Sequence, residues 1–261
     1  MGLERLAKLP RAEGVRLRPA SDADRDGIRS CYAAHAAETN GLLDRPEFWW
    51  EYRESRRIDA GSYVAVDSGD RILGYLIYTR RDGPLGPDAP FQLAVDEFVW
   101  RTRDAGLALW QLIASYATQV EKVFLVGAVE DPSLLILPEQ VFETLVEIRW
   151  MLRVVDAEAA VSARGFPPGL SAEIPLEIED ALLPVNSGAY TLHVESGRGV
   201  LKPGGQAGPR LDVGAFSSLY AGFSTTADLV RAGRLAGGRD EQGAALDAVF
   251  AGPTPALLDE F

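Results

Sequence analysis

The spacing of apolar residues changes period several times along the chain. Val15-Arg16-Leu17-Arg18 alternates and stops at Pro19, which predicts a short strand. Ser21 to Asp24 offers an N-cap and early acids suited to a helix start. Ile28, Cys31, Tyr32 and His35 then recur at three- and four-residue spacing, one helix face packed against a sheet. A second helix is expected after Pro46, carrying Phe48, Trp49, Trp50 and Tyr52. Tyr63–Val66 and Ile72–Tyr78 flank the turn sequence Asp67–Arg71 and read as an antiparallel hairpin. Gly83 to Pro90 reads as a loop and Phe91–Trp100 as a third strand. A helix is predicted from about Asp104 to Gln119, and Val123–Val126 makes a fourth strand of this group.

Past Asp131-Pro132 the pattern changes. Thr144 to Val155 predicts another strand, and Asp156 to Gly165 a compact helix with an Asp cap and a Gly stop. Strands follow at short intervals over Ala172–Glu179, Ala189–Glu195, Gly199–Leu201 and Arg210–Asp212. Helices over Val213–Tyr220, Thr226–Gly233 and Asp240–Phe250 come last. The order predicts an α+β chain of two domains, residues 1–148 and 149–261, with the division near 145–155.

Composition narrows the function classes. The 261 residues are 47% hydrophobic and 25% charged, enough for sizeable cores without covalent staples. A net charge of −12 disfavours tracking a phosphate backbone and suits cationic substrates such as amines. One cysteine, Cys31, excludes a disulfide within the chain, and two histidines, His35 and His193, make a histidine metal site improbable. The first residues hold no apolar stretch of signal-peptide length, and no run approaches the ~20 residues of a membrane span. The expectation is a cytoplasmic protein without nucleic-acid partners or a metal.

Few motifs carry chemistry. No G-x-S-x-G, P-loop or G-x-G-x-x-G is present. Asp96-Glu97 would point to opposite faces of a strand. Trp49 and Trp50 suit an interface if exposed and a domain core if not. Arg103-Asp104-Ala105-Gly106-Leu107-Ala108 lies between a strand and a helix and resembles R-x-x-G-x-A, the pyrophosphate-binding signature of GNAT acetyltransferases. Backbone N–H groups at a helix start can hold phosphate oxygens, with Gly allowing close approach. On that resemblance Arg103, Gly106 and Ala108 would bind acetyl-CoA. The same residues also read as an ordinary capped helix start with an acid, Asp104, in its first turn.

The second half carries a stronger resemblance. Trp150–Ala160 with Ala163-Arg164-Gly165-Phe166 is similar to the W-x-R-x-V-D-x-x-A-A-L-x-A-R-G-Y stretch of the Eis (enhanced intracellular survival) family of GNAT N-acetyltransferases. Gly214–Gly222 resembles its L-G-S-L-Y-L-G segment, Leu246–Phe250 resembles L-D-A-x-F, and the sequence ends Glu260-Phe261 as that family ends in E-F. The resemblance implies a GNAT-like mixed-sheet domain followed by a small sterol-carrier-protein-like α+β domain, with the family's first, cofactor-bearing GNAT domain absent. It implies acetyl transfer from acetyl-CoA to an amine, an aminoglycoside or a lysine side chain. The α-carboxylate of Phe261 would be the base, and Glu260 would line the amine pocket. It also implies a homo-oligomer, a hexamer by family, or a partner chain that supplies the missing domain. The alternative is a non-catalytic module. Its second half would enclose an apolar ligand among Ile174, Leu176, Tyr190, Leu192, Phe216, Leu219 and Tyr220, unless these simply form the core.

Overall fold

The computed structural model describes residues 3–57, 59–82, 90–138, 142–237 and 241–259. The chain divides into two compact units: Met1–Glu147 together with Ala256–Phe261, and Ile148–Pro255.

The first unit is built on a five-stranded sheet. Its strands are β1 (Arg16–Pro19), β2 (Ala60–Val66), β3 (Ile72–Arg81), β4 (Phe91–Trp100) and β5 (Val120–Leu125), in that spatial order. The first four pair antiparallel, and β5 joins β4 in parallel. The β4–β5 pairing runs from Phe91↔Val120 to Val95↔Leu125 and stops there, while β4 continues to Trp100 along β3. Asp67 closes the β2–β3 turn, its Oδ1 accepting the N–H groups of Gly69 and Arg71. The loop expected at Gly83–Pro90 lies, apart from Pro90, outside the described residues.

Helices cover both faces of this sheet. A short turn, Asp22–Asp24, leads into α1 (Arg25–Ala36), and α2 (Glu47–Ser55) follows Pro46 as expected. Cys31, Tyr32 and Trp50 pack with Val64, Val66, Tyr75, Ile77 and Val99. On the opposite face α3 (Arg103–Ser115) packs Ala105, Leu109, Trp110 and Ile113 on Ala65, Leu76 and Val95. Strand alternation explains the sorting, since Tyr75 and Ile77 face one way and Leu76 the other. A bulge matters here. Ile77 pairs with Glu97 but Tyr78 pairs with Val95, so Asp96 is the extra residue of β4. The extra residue reverses the alternation, and Val95 faces α3 while Glu97 turns to the α1–α2 side.

The second unit begins with α4 (Ala157–Ala163), capped by Asp156 through Ala159 N–H at 2.9 Å. Its sheet holds β6 (Ala172–Glu179), β7 (Gly188–Glu195), β8 (Arg198–Pro203), β9 (Arg210–Asp212) and the two-residue β10 (Leu235–Ala236), in the order β10-β9-β6-β7-β8. Burial alternates cleanly along β6 and β7, so one face is apolar and the other polar. Helices α4, α5 (Val213–Tyr220), α6 (Thr226–Arg231) and α7 (Glu241–Phe250) close the apolar face around Phe216 and Phe250. The residues considered for an apolar ligand are this core: Ile174, Leu176, Tyr190, Leu192, Phe216 and Leu219 are buried on one another and Tyr220 packs beside them.

One expectation is overturned. Thr144 to Val155 forms no strand; residues 142–155 take up neither helix nor sheet. Its alternation is right for a strand, but a strand exists only where a neighbour accepts its ladder, and no described part of the sheet provides one.

Candidate functional site

Beneath α1 and α2 lies a charged cluster that grows out of the bulge in β4. Glu97 is buried, with side-chain exposure of 4%. Its Oε1 accepts from Arg45 Nη1 at 2.9 Å, from Arg53 Nε at 2.9 Å and from Arg57 Nη2. The Tyr75 hydroxyl donates to Oε2. Burial pushes the Glu97 carboxyl up, and Arg57, Arg45 and Arg53 outweigh it, so its pKa lies below the usual glutamate value. Burial raises the Tyr75 phenol well above its ordinary value, which keeps it a donor.

The second acid of the cluster comes from the far end of the sequence. The Asp259 side chain is fully buried. Oδ1 accepts from Arg53 Nη1 at 2.9 Å and Trp49 Nε1 at 3.1 Å, and forms an ion pair with Arg45 Nη2 at 3.0 Å. Oδ2 accepts from Arg45 Nε at 3.1 Å and from the Tyr32 hydroxyl at 3.4 Å. Arg45 bridges the two acids while its guanidinium lies 3.8 Å from the Tyr32 ring centroid. Backbone contact reinforces the attachment, with Ala256 N–H donating to Asn40 O at 2.8 Å. Three guanidinium groups against two carboxylates leave the cluster one positive charge in excess. Its arrangement is a lock: multiple charge-assisted bonds in a water-poor site fix the segment 256–259 on the first unit.

The resemblance-derived cofactor residues sit elsewhere, at the start of α3. Thr102 caps the helix, its Oγ1 accepting Ala105 N–H at 3.3 Å and its carbonyl accepting Gly106 N–H at 3.0 Å. Gly106 is buried, and a Cβ there would come 2.9 Å from Cδ2 of Trp100, so packing alone calls for glycine. Ala108 is buried within the helix. Arg103 is the motif residue that faces water, its side chain 57% exposed, and the first-turn N–H groups of Arg103 and Asp104 have no intrahelical acceptor. Asp104 opposes an anion here, with Oδ1 3.8 Å from Arg103 Nη1 and accepting Glu13 N–H at 3.1 Å. A pyrophosphate could meet Arg103 and the outermost amides, but Gly106 and Ala108 are turned into the packing. Glu260 and Phe261 lie outside the described residues.

Sequence reasoning passes over Arg45, Arg53 and Arg57, sets Glu97 aside as one of two neighbouring acids on opposite strand faces, and reads Asp259 only as one of the acids at the end of the sequence. The legible signals were a charge inside the apolar run Phe91–Val99 and an acid directly after the apolar Ala256–Leu258. Trp50 is buried and Trp49 half-buried, its indole spent on Asp259, which answers the interface-or-core question in favour of the core. Among the described residues there is no His, Cys, Asp and Glu group suited to a metal, and no helix is long and apolar enough to cross a membrane.

Comparison with known proteins defines the class. Residues 41–154 match the acetyltransferase (GNAT) domain and residues 157–258 the sterol carrier protein domain. A GCN5-related N-acetyltransferase from Anabaena variabilis ATCC 29413 is 30% identical with a TM-score of 0.91, over 100% of this chain and 66% of that one. A GCN5-related N-acetyltransferase from Kribbella flavida is 31% identical with a TM-score of 0.82, over 100% and 63%. Eis1 from Mycobacterium abscessus is 26% identical with a TM-score of 0.74, over 100% and 66%. A comparison with curated protein sequences finds no match. The chain therefore has a GNAT-type mixed-sheet fold over its first part, followed by a sterol-carrier-protein-like domain. It spans 63–66% of the length of these solved relatives.

Proposed function

We propose that this chain serves an Eis-like, acetyl-CoA-dependent N-acetyltransferase, as the portion that delivers the catalytic carboxylate to an amine substrate. The observation that carries this reading is the lock on Asp259, two residues before Phe261. Two residues span at most about 7 Å, so an attachment at Asp259 gives a short reach to a carboxylate two residues on. A confined α-carboxylate can act as a general base, whereas a frayed one rarely meets its substrate. By resemblance Phe261 is that base and Glu260 lines the pocket for an aminoglycoside or lysine amine. Acetyl-CoA supplies the activated acetyl group. Within this chain Arg103 is the motif side chain that can face its phosphates, and the inward packing of Gly106 and Ala108 favours a cofactor site completed by further polypeptide.

The test is thiol release from acetyl-CoA by the full-length protein, with aminoglycosides and lysine peptides as acceptors. Amine-dependent release should fall at least a hundredfold when Phe261 is deleted, with acetyl-CoA affinity by calorimetry unchanged. Absence of amine-dependent release, or full activity without Phe261, overturns the proposal. A bulky replacement of Gly106 is a poor probe because it would strike Trp100; Arg103→Glu tests cofactor contact without disturbing the core.

A further inference from the structure

The turn between β6 and β7 holds apolar side chains out of the second unit, and buried hydrogen bonds fix it there. Asp180 Oδ1 accepts the N–H groups of Leu182 at 3.0 Å and Leu183 at 2.9 Å, and its Oδ2 accepts from Asn186 Nδ2 at 3.0 Å. Ser187 Oγ accepts the Asp180 N–H at 2.8 Å. Asn186 also clips the residues that lead into α4. Its Nδ2 donates to Val155 O at 3.1 Å, and its Oδ1 accepts the Ala157 N–H at 3.0 Å. The result is a fixed surface on which Val155 is 65% exposed, Leu182 72% and Val185 82%. Single exposed apolar residues are ordinary, whereas three gathered around one buried hydrogen-bond network mark a surface built to meet something.

Acids stand beside this face. Asp156 lies between the two residues that Asn186 clips, and Glu158 follows in the first turn of α4. The Tyr190 hydroxyl donates to Val185 O at 3.4 Å and lies within reach of both charges. Burial first, then Glu158 and Asp156, raise its phenol above the ordinary value. The neighbouring arginines are already engaged, Arg153 by Asp180 and Arg210 by Glu179.

We propose that this face docks a basic, amphipathic segment of another protein. The apolar side chains of that segment cover Val155, Leu182 and Val185, and its Lys or Arg side chains meet Asp156 and Glu158. Charge selects this occupant. A second copy would bring further acid to an acidic rim, and an anionic membrane would be repelled in the same way. The net charge of −12 steers a basic partner at longer range. Because the turn is fixed before anything binds, its apolar contacts form with little further ordering cost.

Fluorescence anisotropy on the 261-residue chain tests this, with a labelled synthetic amphipathic peptide of leucine and lysine as the probe. The control peptide has glutamate in place of every lysine. The lysine probe should bind saturably, and the glutamate probe at least tenfold more weakly. The double variant Leu182→Ser/Val185→Ser should weaken the lysine probe at least tenfold with the melting temperature unchanged, because both side chains are already in water. Glu158→Gln should weaken it by about two- to fivefold, the worth of one exposed ion pair, and should flatten the dependence on salt. No saturable binding of the lysine probe, equal binding of the two probes, or binding indifferent to the double variant overturns the proposal. Flotation with phosphatidylcholine vesicles, or a dimer in sedimentation equilibrium, overturns it as well if the double variant abolishes either, since the face then belongs to another occupant. None of these results bears on acetyl transfer, which is read separately by thiol release.

Discussion

Arg45 holds Asp259 with two prongs across 214 residues of sequence, Nε to Oδ2 at 3.1 Å and Nη2 to Oδ1 at 3.0 Å. Arg45 is itself buried, so its charge depends on this acid and on Glu97. Removing one partner of a buried pair strands the other, which costs about 3–5 kcal/mol. Asp259→Ala should therefore lower the urea midpoint of the first unit markedly. Arg53→Ala should cost less, since Asp259 keeps Arg45 and Trp49 and Arg53 is partly exposed. Carboxypeptidase digestion gives a second readout: it should stall near Asp259 in the parent chain and run on in Asp259→Ala. Equal stability of the two variants would remove Asp259 from the role of lock.

The same tail depends on a glycine that nothing larger can replace. Gly41 has φ +94°, and a Cβ there would lie 2.7 Å from the carbonyl oxygen of Ala256 and 2.9 Å from its nitrogen. The obstacle is backbone on both counts, and the backbone conformation itself disfavours an L side chain. Gly41→Ala should loosen residues 256–259 and speed carboxypeptidase trimming. Its loss of stability should not add to that of Asp259→Ala, because both act through the same attachment. Full additivity in a double-mutant cycle would separate them.

Much of the architecture was written in local pattern. β4, β6, β9 and α5 fall where alternation, capping and turn residues predict them, because each decides its own conformation within a few residues. The charged cluster was not, since its parts lie at Arg45, Glu97 and Asp259 and meet only through the bulge at Asp96 and the return of the tail. Face assignment by strict alternation could not place Glu97, as one extra residue reverses it. The segment 144–155 shows the opposite case: its pattern is that of a strand, but pairing is a property of two segments and the sequence displays only one. At α3 the R-x-x-G-x-A spacing was legible while the orientation of Gly106 toward Trp100 was a matter of tertiary packing.

Cys31 gives a simple probe of opening in the first unit. It is 4% exposed, and burial pushes its thiol up to about 11, against a weaker downward pull from Arg101. The thiolate is the reactive form, so both access and ionisation are suppressed. The native chain should react with a thiol reagent at least a hundredfold more slowly than the chain in urea at the same pH. Fast labelling of the native chain would mean that α1 detaches from the sheet without global unfolding.

Asp180 ties acid sensitivity to the second unit. Burial works against its charge, but Asn186, the N–H groups of Leu183 and Leu182, and Arg153 hold its pKa down at about 2. A carboxyl depressed in the folded state stabilises fully above its unfolded value near 3.8 and loses that contribution as pH falls toward about 2. The parent chain and Asp180→Asn should therefore differ most in urea midpoint at pH 5 to 7, and the difference should narrow from pH 4 downward. The comparison isolates this group, because the other carboxyls titrate alike in both proteins. Asp180 also joins the end of the 142–153 segment, through Arg153, to the turn before β7, where Asn186 donates to its Oδ2 at 3.0 Å. A difference that stays constant with pH would mean that Asp180 acts by shape and hydrogen bonding alone, with its charge contributing nothing.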